Sequence, residues 1–247
     1  MHLKTLEIKA KRFGRKLERI RRDHAEIAWF PYPILENVKA LDGLLSGENR
    51  RLFRRLKGGT VADLGGADGD LAFLLERQGF EVDLVDMPSA NYNGLEGART
   101  LAKALGSSVA IYELDLDTLA PLPRPCYDLV LLLGTLYHLK NPFGVLEGLA
   151  RVSRYLLVST RVARYARRDG VAYHDEPMAY LLDAAECNDD ATNFWIFSEA
   201  GLKRLVSRCG WRVLDYTSYG ETSRSTPQDP DGDERAWMLL ESQAFDA

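Results

Sequence analysis

The segment VADLGGADGD, residues 61–70, places three carboxylates and three glycines between an apolar run and a helix-like one. Small residues at such a turn let the backbone approach a ligand, and the following helix start offers free N–H groups. The dinucleotide fingerprint G-x-G-x-x-G is not met, because with Gly65 as the first place the third and sixth hold Ala67 and Asp70. The pattern D-x-G-x-G-x-G is met with one change, Ala67 for glycine. Asp68 and Asp70 at a helix start repel a pyrophosphate and suit a ligand with a positive end.

Asp86 ends a second apolar run, 23 residues after Asp63. A carboxylate there can accept from both hydroxyls of a ribose, with Met87 beside an adenine face. Further on, Asp115 can accept from an exocyclic amine and the Leu116 backbone can meet the ring. Tyr137 and His138 follow the most apolar run. A histidine titrates near neutrality and is the natural general base if an acceptor hydroxyl must lose its proton. No HExxH or HxxxH occurs among the four histidines, so no metal site is expected. His174, Asp175 and Glu176 are adjacent in sequence and cannot easily converge on one ion.

These groups need a scaffold, and the patterning supplies one. Strands are expected at TVADLGG, EVDLVD, SVAIYEL, YDLVLLLG and YLLVST, alternating with helices over about 70–78, 94–105 and 143–151. Alternation of this kind implies right-handed crossovers and a parallel sheet. YDLVLLLG, the most apolar, is expected to be central. Residues 161–197 are too long for a plain connection and read as a functional cover, with a short helix in PMAYLLDAAEC. Phe194 and Trp195 within it line an acceptor mouth or fill core. Ser198 reads as the N-cap of EAGLKRLVSRC, with Phe197 and Leu202 spaced for a hydrophobic staple. WRVLDYTSYG and ERAWMLLES read as an antiparallel pair joined by a turn at DPDGDE.

Ahead of this body, Leu3, Leu6, Ala10, Phe13, Leu17 and Ile20 recur at spacings of three and four, one stripe of a helix. Residues 1–24 carry nine Lys or Arg against three Asp or Glu, whereas the remainder is net acidic. The first segment is either a solvated helix packed on the body or on a partner subunit, or a contact for phosphates or a membrane surface. Two more helices are expected over 34–45 and 49–56. The longest apolar run, Leu129–Tyr137, is too short to span a bilayer, and the N-terminus lacks a secretory signal's apolar core. Cys126, Cys187 and Cys209 are odd in number and widely spaced, as reduced thiols of a cytoplasmic protein are.

The set VADLGGADGD, LVDMP, LDLDTLAP and YDLVLLLGTLYHL resembles motifs I to IV of class I S-adenosylmethionine (SAM) methyltransferases over about residues 58–160. The resemblance implies a Rossmann-like three-layer α/β sandwich: a seven-stranded, mostly parallel sheet with an antiparallel last strand. It implies SAM as cofactor, held by Asp63, Gly65, Gly66, Ala67, Gly69, Asp86, Met87, Asp115, Leu116, Asp117 and Leu133. Asp63 either ties its turn together or binds near the methionine end. The domains expected are a helical cap, 1–57, and a methyltransferase domain, 58–247.

LGTLYHLKNPFGVL, NFWIFSEAGLKRLVSRCGW and ERAWMLLES are also similar to relatives of the tRNA wobble-uridine carboxymethyltransferases. That likeness places Tyr137 in the active site. The family's C-terminal arginine segment and N-terminal lysines find no match, so ordinary SAM is expected. The reading is a transferase acting on a small or medium-sized acceptor, at oxygen, with Tyr137 and His138 as catalytic residues. A tRNA alkyltransferase and a non-catalytic SAM-binding subunit are the alternatives.

Overall fold

The computed structural model describes residues 3–166, 170–187, 189–228 and 233–245. The chain divides into two compact units, residues 1–115 with 120–131, and residues 116–119 with 132–247.

The first unit begins with α1 (Leu3–Asp23). Leu3, Leu6, Ala10, Phe13 and Leu17 are buried and Ile20 half-buried, so the stripe expected from the sequence is the packing face. Each buried leucine and Phe13 contributes roughly 1.5–3 kcal/mol by leaving water, and Ala10 less. A 3-10 turn (Ile34–Glu36) leads into α2 (Asn37–Leu44), and a second (Gly47–Arg51) leads into α3 (Leu52–Arg55). α1 packs on α2 and on α4 (Asp70–Glu76).

The same unit holds β1 (Thr60–Leu64), β2 (Glu81–Asp86), β3 (Ala110–Glu113) and most of β4 (Tyr127–Leu133), with α5 (Glu96–Leu105) before β3. The strands pair in parallel in the order β3-β2-β1-β4. Val61 to Leu64 and Leu129 to Leu132 are buried, as both-face-covered parallel strands require. Register sets Leu64 beside Val85 and Asp86 beside Glu113, so the residues after Leu64 emerge at the same edge as Asp86. The one fully buried carboxylate of β2, Asp83, accepts from Arg124 Nε at 2.7 Å and from Tyr127 Oη at 2.8 Å.

The second unit contains α6 (Pro142–Val152), β5 (Ser153–Val162), β6 (Ala179–Leu181), β7 (Trp195–Phe197), α7 (Glu199–Arg208), β8 (Trp211–Gly220) and β9 (Glu234–Ser242). β9 runs antiparallel to both β5 and β8, so the last strand is antiparallel as expected. Asn141 caps α6, and Ser198 caps α7 by accepting from Gly201 N at 2.9 Å.

The seven expected strands are present, and two were not anticipated among the nine of the described residues. Both come from the cover segment. The helix expected in PMAYLLDAAEC is instead β6 followed by turns, and β6 pairs antiparallel with β7. Tertiary pairing overrides local propensity there: β7 joins β5 at Phe197, which draws residues 179–181 out as its neighbour. The joint expected at DPDGDE lies mostly outside the described residues.

Candidate active site

In the first unit the turn after β1 is built on backbone that only small residues tolerate. Gly65 and Gly69 have φ of +70° and +81°, in the left-handed region. At Gly66 a Cβ would clash with Leu84 Cδ1 and lie 2.8 Å from Asp63 Oδ2, so a side chain there forces Leu84 and the strand-end carboxylate to shift. Ala67 has φ of +52°, a conformation costing an alanine roughly 1–2 kcal/mol. Two bonds hold it: Ala67 N donates to Asp86 Oδ2 at 3.1 Å, and its carbonyl accepts from Asn91 Nδ2 at 3.4 Å.

Asp63 is buried, and its Oδ2 has no hydrogen-bond partner among the described residues. Burial, then the neighbouring Asp86 charge, pushes its carboxyl up to about 7. An unsatisfied buried acceptor beside a glycine turn is suited to a donor group from a ligand. Asp86 is raised as well, chiefly by burial. Its Oδ1 accepts from Met87 N at 2.8 Å and its Oδ2 from Ala67 N and from Asn91 Nδ2 at 3.0 Å. A carboxylate has about four acceptor positions, so Asp86 retains room for one ligand hydroxyl before Asn91 must yield.

Asp68 and Asp70 are not left for a ligand. Asp70 Oδ1 accepts from Arg21 Nη2 of α1 at 2.6 Å. Burial still raises the Asp70 carboxyl to about 6 against that neighbour. Asp68, 1% exposed, accepts from Phe30 N at 2.9 Å and Asn93 Nδ2 at 2.7 Å, with Arg21 Nη2 at 3.6 Å. Their apparent fit to a cationic ligand is therefore corrected: the Arg21 charge, 49 residues before Asp70 in sequence, answers both. Asn91 and Asn93 went unnoticed in the sequence reading. The paired asparagines of NYN, whose side chains also accept from Leu95 N and Gly97 N, were the available signal for an Asx-type loop.

Asp115 is half-buried in this unit. Leu116, Asp117 and Leu133 belong to the second. Asp117 accepts from Lys140 N at 2.9 Å and Asn141 N at 2.8 Å, which fixes the entry to α6.

The second unit gathers Tyr137, His138, Thr192 and Arg235. Tyr137 and His138 sit in a 3-10 turn (Leu136–His138) just past β4, their ring centres 4.3 Å apart. Phe194 N donates to the Tyr137 carbonyl at 2.8 Å, which ties the cover segment to this turn. Thr192 Oγ1 donates to Asp190 Oδ1 at 2.6 Å, leaving its lone pairs to His138 Nδ1 at 2.9 Å, with the Thr192 carbonyl at 3.1 Å. Nδ1 is therefore the protonated nitrogen and Nε2 the basic one. Burial, aided by the Arg235 charge, lowers the His138 pKa, which keeps the ring neutral and able to take a proton. The Trp195 Nε1 donor is buried without a partner among the described residues.

Arg235, on β9, was also missed. It donates from Nη1 to Tyr137 Oη at 3.3 Å, and a Cβ on Gly134 would stand 3.8 Å from the same nitrogen. No group of three metal-ligating side chains occurs among the described residues, and no helix among them is long and apolar enough to cross a membrane.

A glycine turn and strand-end carboxylates on parallel strands define a Rossmann-like α/β cofactor-binding domain. Residues 39–216 match a family model described as a methyltransferase domain. The chain belongs to this family and is a class I SAM-dependent methyltransferase. No curated protein matches the chain. Among solved structures, the N-terminal domain of EvdMO1 with SAH bound is similar at a TM-score of 0.56 and 20% identity, over 92% of this chain and 96% of that one. The [4+2]-cyclase SpnF is similar at 0.54 and 15% identity, over 78% and 80%. A SAM-dependent methyltransferase from Clostridium acetobutylicum is similar at 0.52 and 11% identity, over 78% and 87%. At these identities the likeness is one of fold.

Proposed function

We propose that the protein transfers the methyl group of SAM to an oxygen of a small or medium-sized acceptor by in-line displacement. The bound donor supplies an electrophilic methyl on a sulfonium, and the chain's residues bind, orient and exclude water. The domain roles proposed are a helical cap, residues 1–57, and a transfer domain, residues 58–247. The observation that carries the reading is the unsatisfied Asp63 Oδ2 beside the Gly65–Gly69 turn, with Asp86 at the neighbouring strand end. It fits a ligand bearing both hydroxyl and ammonium donors.

In this reading Asp86 takes one ribose hydroxyl at its remaining acceptor position, and Met87, Asp115 and Leu116 serve the adenine. Gly65, Gly66, Ala67 and Gly69 give the donor close access to backbone, and Asp63 accepts from its amino-acid end. Asp117 and Leu133 complete the set. Tyr137 orients the acceptor, its phenol direction set by Arg235. His138 Nε2 takes the proton that an acceptor hydroxyl loses, with Nδ1–H held by Thr192.

The test is mass spectrometry of ligand released from the purified protein, together with calorimetry against SAM. Recovery of SAM or S-adenosylhomocysteine, or micromolar SAM binding, is the result expected. NAD in its place, or no adenosyl ligand and no SAM binding, overturns the reading.

A further inference from the structure

We propose that Arg21 is a positioning residue for SAM: from the end of α1 it holds the turn Gly65–Asp70 in the shape that meets the donor, by answering Asp68 and Asp70 together. This role rests on that turn's meeting SAM, as proposed above. Arg21 lies ahead of residues 39–216, which the family model matches, so the family's own residues do not supply it.

The sequence puts a charge where α1 turns its apolar residues inward. Arg21 follows the buried Leu17 by four residues, on the same face of the helix. Its side chain is 15% exposed, against 73% for Lys11. A cation drawn in this far needs partners. Nη2 donates to Asp70 Oδ1 at 2.6 Å and lies 3.6 Å from Asp68 Oδ2, and Nη1 donates to Glu18 at 3.2 Å. The guanidinium carbon stands 5.5 Å from the Trp29 ring centre, and Trp29 Nε1 donates to the His24 carbonyl at 3.0 Å. The chain after α1 thus folds back along the guanidinium and brings Phe30 N to Asp68.

The turn needs such anchors. The left-handed backbone of Ala67 persists only where its surroundings over-determine it. Asp86 and Asn91 hold Ala67, Phe30 and Asn93 hold Asp68, and Arg21 holds Asp70. Asp68 and Asp70 are buried like charges two residues apart, and among the described residues Arg21 is their cationic partner. A Cβ on Gly97 would collide with Asp68 Oδ1, so Asp68 has no room to swing toward α5. Without Arg21 a buried charge is left uncompensated, and the chain must move or take up a proton to relieve it. Movement falls on Gly69, between the two carboxylates, and so on the backbone offered to SAM.

The test is calorimetry of the full chain with SAM, beside the Tm of each variant. Arg21→Met keeps the apolar stem and removes the charge, and it should bind SAM at least about tenfold more weakly. Arg21→Lys keeps a charge between the carboxylates and should stay within about threefold of native affinity. Adding Asp70→Asn to Arg21→Met removes the stranded charge and should recover affinity to within about threefold of native. Lost packing at position 21 would not be recovered by a change at position 70. A second measurement uses the native chain: SAM should slow amide exchange over residues 19–30 and over the turn by more than in α7, because coupling between two sites is reciprocal. That result decides if Arg21→Met does not fold. Asp86→Ala separates the two readings. Native SAM affinity in that variant removes the turn from the donor site, and Arg21's role with it. Weak binding by Asp86→Ala with native or tighter binding by Arg21→Met overturns the role of Arg21 alone. So does a double variant no better than Arg21→Met, or exchange over residues 19–30 that SAM leaves unchanged.

Discussion

Arg235 donates to the phenol oxygen of Tyr137 from Nη1 at 3.3 Å, and its guanidinium carbon stands 5.6 Å from the centre of that ring. The arginine lies on β9 and the tyrosine just after β4, 98 residues apart in sequence. Because the guanidinium only donates, the tyrosine oxygen accepts from it and the phenol O–H remains to point at an acceptor group.

Tyr137→Phe removes that hydroxyl and leaves the ring. A lost hydrogen bond to a charged partner is worth about 1.5–3 kcal/mol, so turnover should fall about ten- to a hundredfold. The readout is S-adenosylhomocysteine formation at saturating donor, with the donor dissociation constant moving less than about twofold. Unchanged turnover removes Tyr137 from the transfer step.

Asp86→Ala should weaken SAM binding by about ten- to a hundredfold, since one carboxylate both accepts from the ligand and holds the ligand's turn. Ala67 N and Asn91 Nδ2 lose their common acceptor in the variant. Its stability should drop by about 1–3 kcal/mol in urea titrations. Calorimetry showing native affinity refutes the assignment.

Asp63 gives the apo protein a pH signature. Its carboxyl is raised to about 7 in the fold, so the folded chain holds a proton that the unfolded chain releases near pH 4. Stability from this group is complete below the unfolded pKa and is lost as pH rises through about 7. Asp70, raised to about 6, acts in the same direction. Between pH 5 and pH 8 these two carboxyls should therefore lower the Tm of the apo protein as pH rises, against an opposite pull from His138, whose pKa burial lowers, and Asp63→Asn should remove the Asp63 part of the decline. A ligand ammonium beside Asp63 favours the carboxylate. Donor binding at pH 7 should thus release up to about half a proton, seen as a buffer-dependent calorimetric enthalpy. A Tm that rises over this range equally in the wild type and Asp63→Asn contradicts the burial of an unsatisfied carboxylate.

Ala67→Gly should raise stability by up to about 1 kcal/mol. Glycine has no penalty at φ of +52°, and this gain exceeds the extra freedom it adds to the unfolded chain. SAM affinity should stay within about twofold. A destabilised variant would mean that the alanine methyl contributes more packing than its backbone strain removes.

The order of strands and helices was legible because hydrophobic period is a local property. A run such as YDLVLLL reads as a buried strand wherever it folds, and glycine at a strand end marks a tight turn through its own torsional freedom. Those local signals suffice to place Asp63, the Gly65–Gly69 turn, Asp86, Tyr137 and His138 at the ends of strands. They failed in the cover segment, where PMAYLLDAAEC has helical propensity but its residues 179–181 pair with β7.

The partners of the charged groups were decided by the tertiary structure. Asp68 and Asp70 looked ready for a cationic ligand, yet Arg21, Phe30 and Asn93 meet them from three other parts of the chain. Arg235 meets Tyr137 across 98 residues, and Thr192 sets the proton on His138 across 54. A residue's type and spacing establish what it can donate or accept. Which donor reaches which acceptor depends on contacts between segments distant in sequence, and no local pattern encodes those.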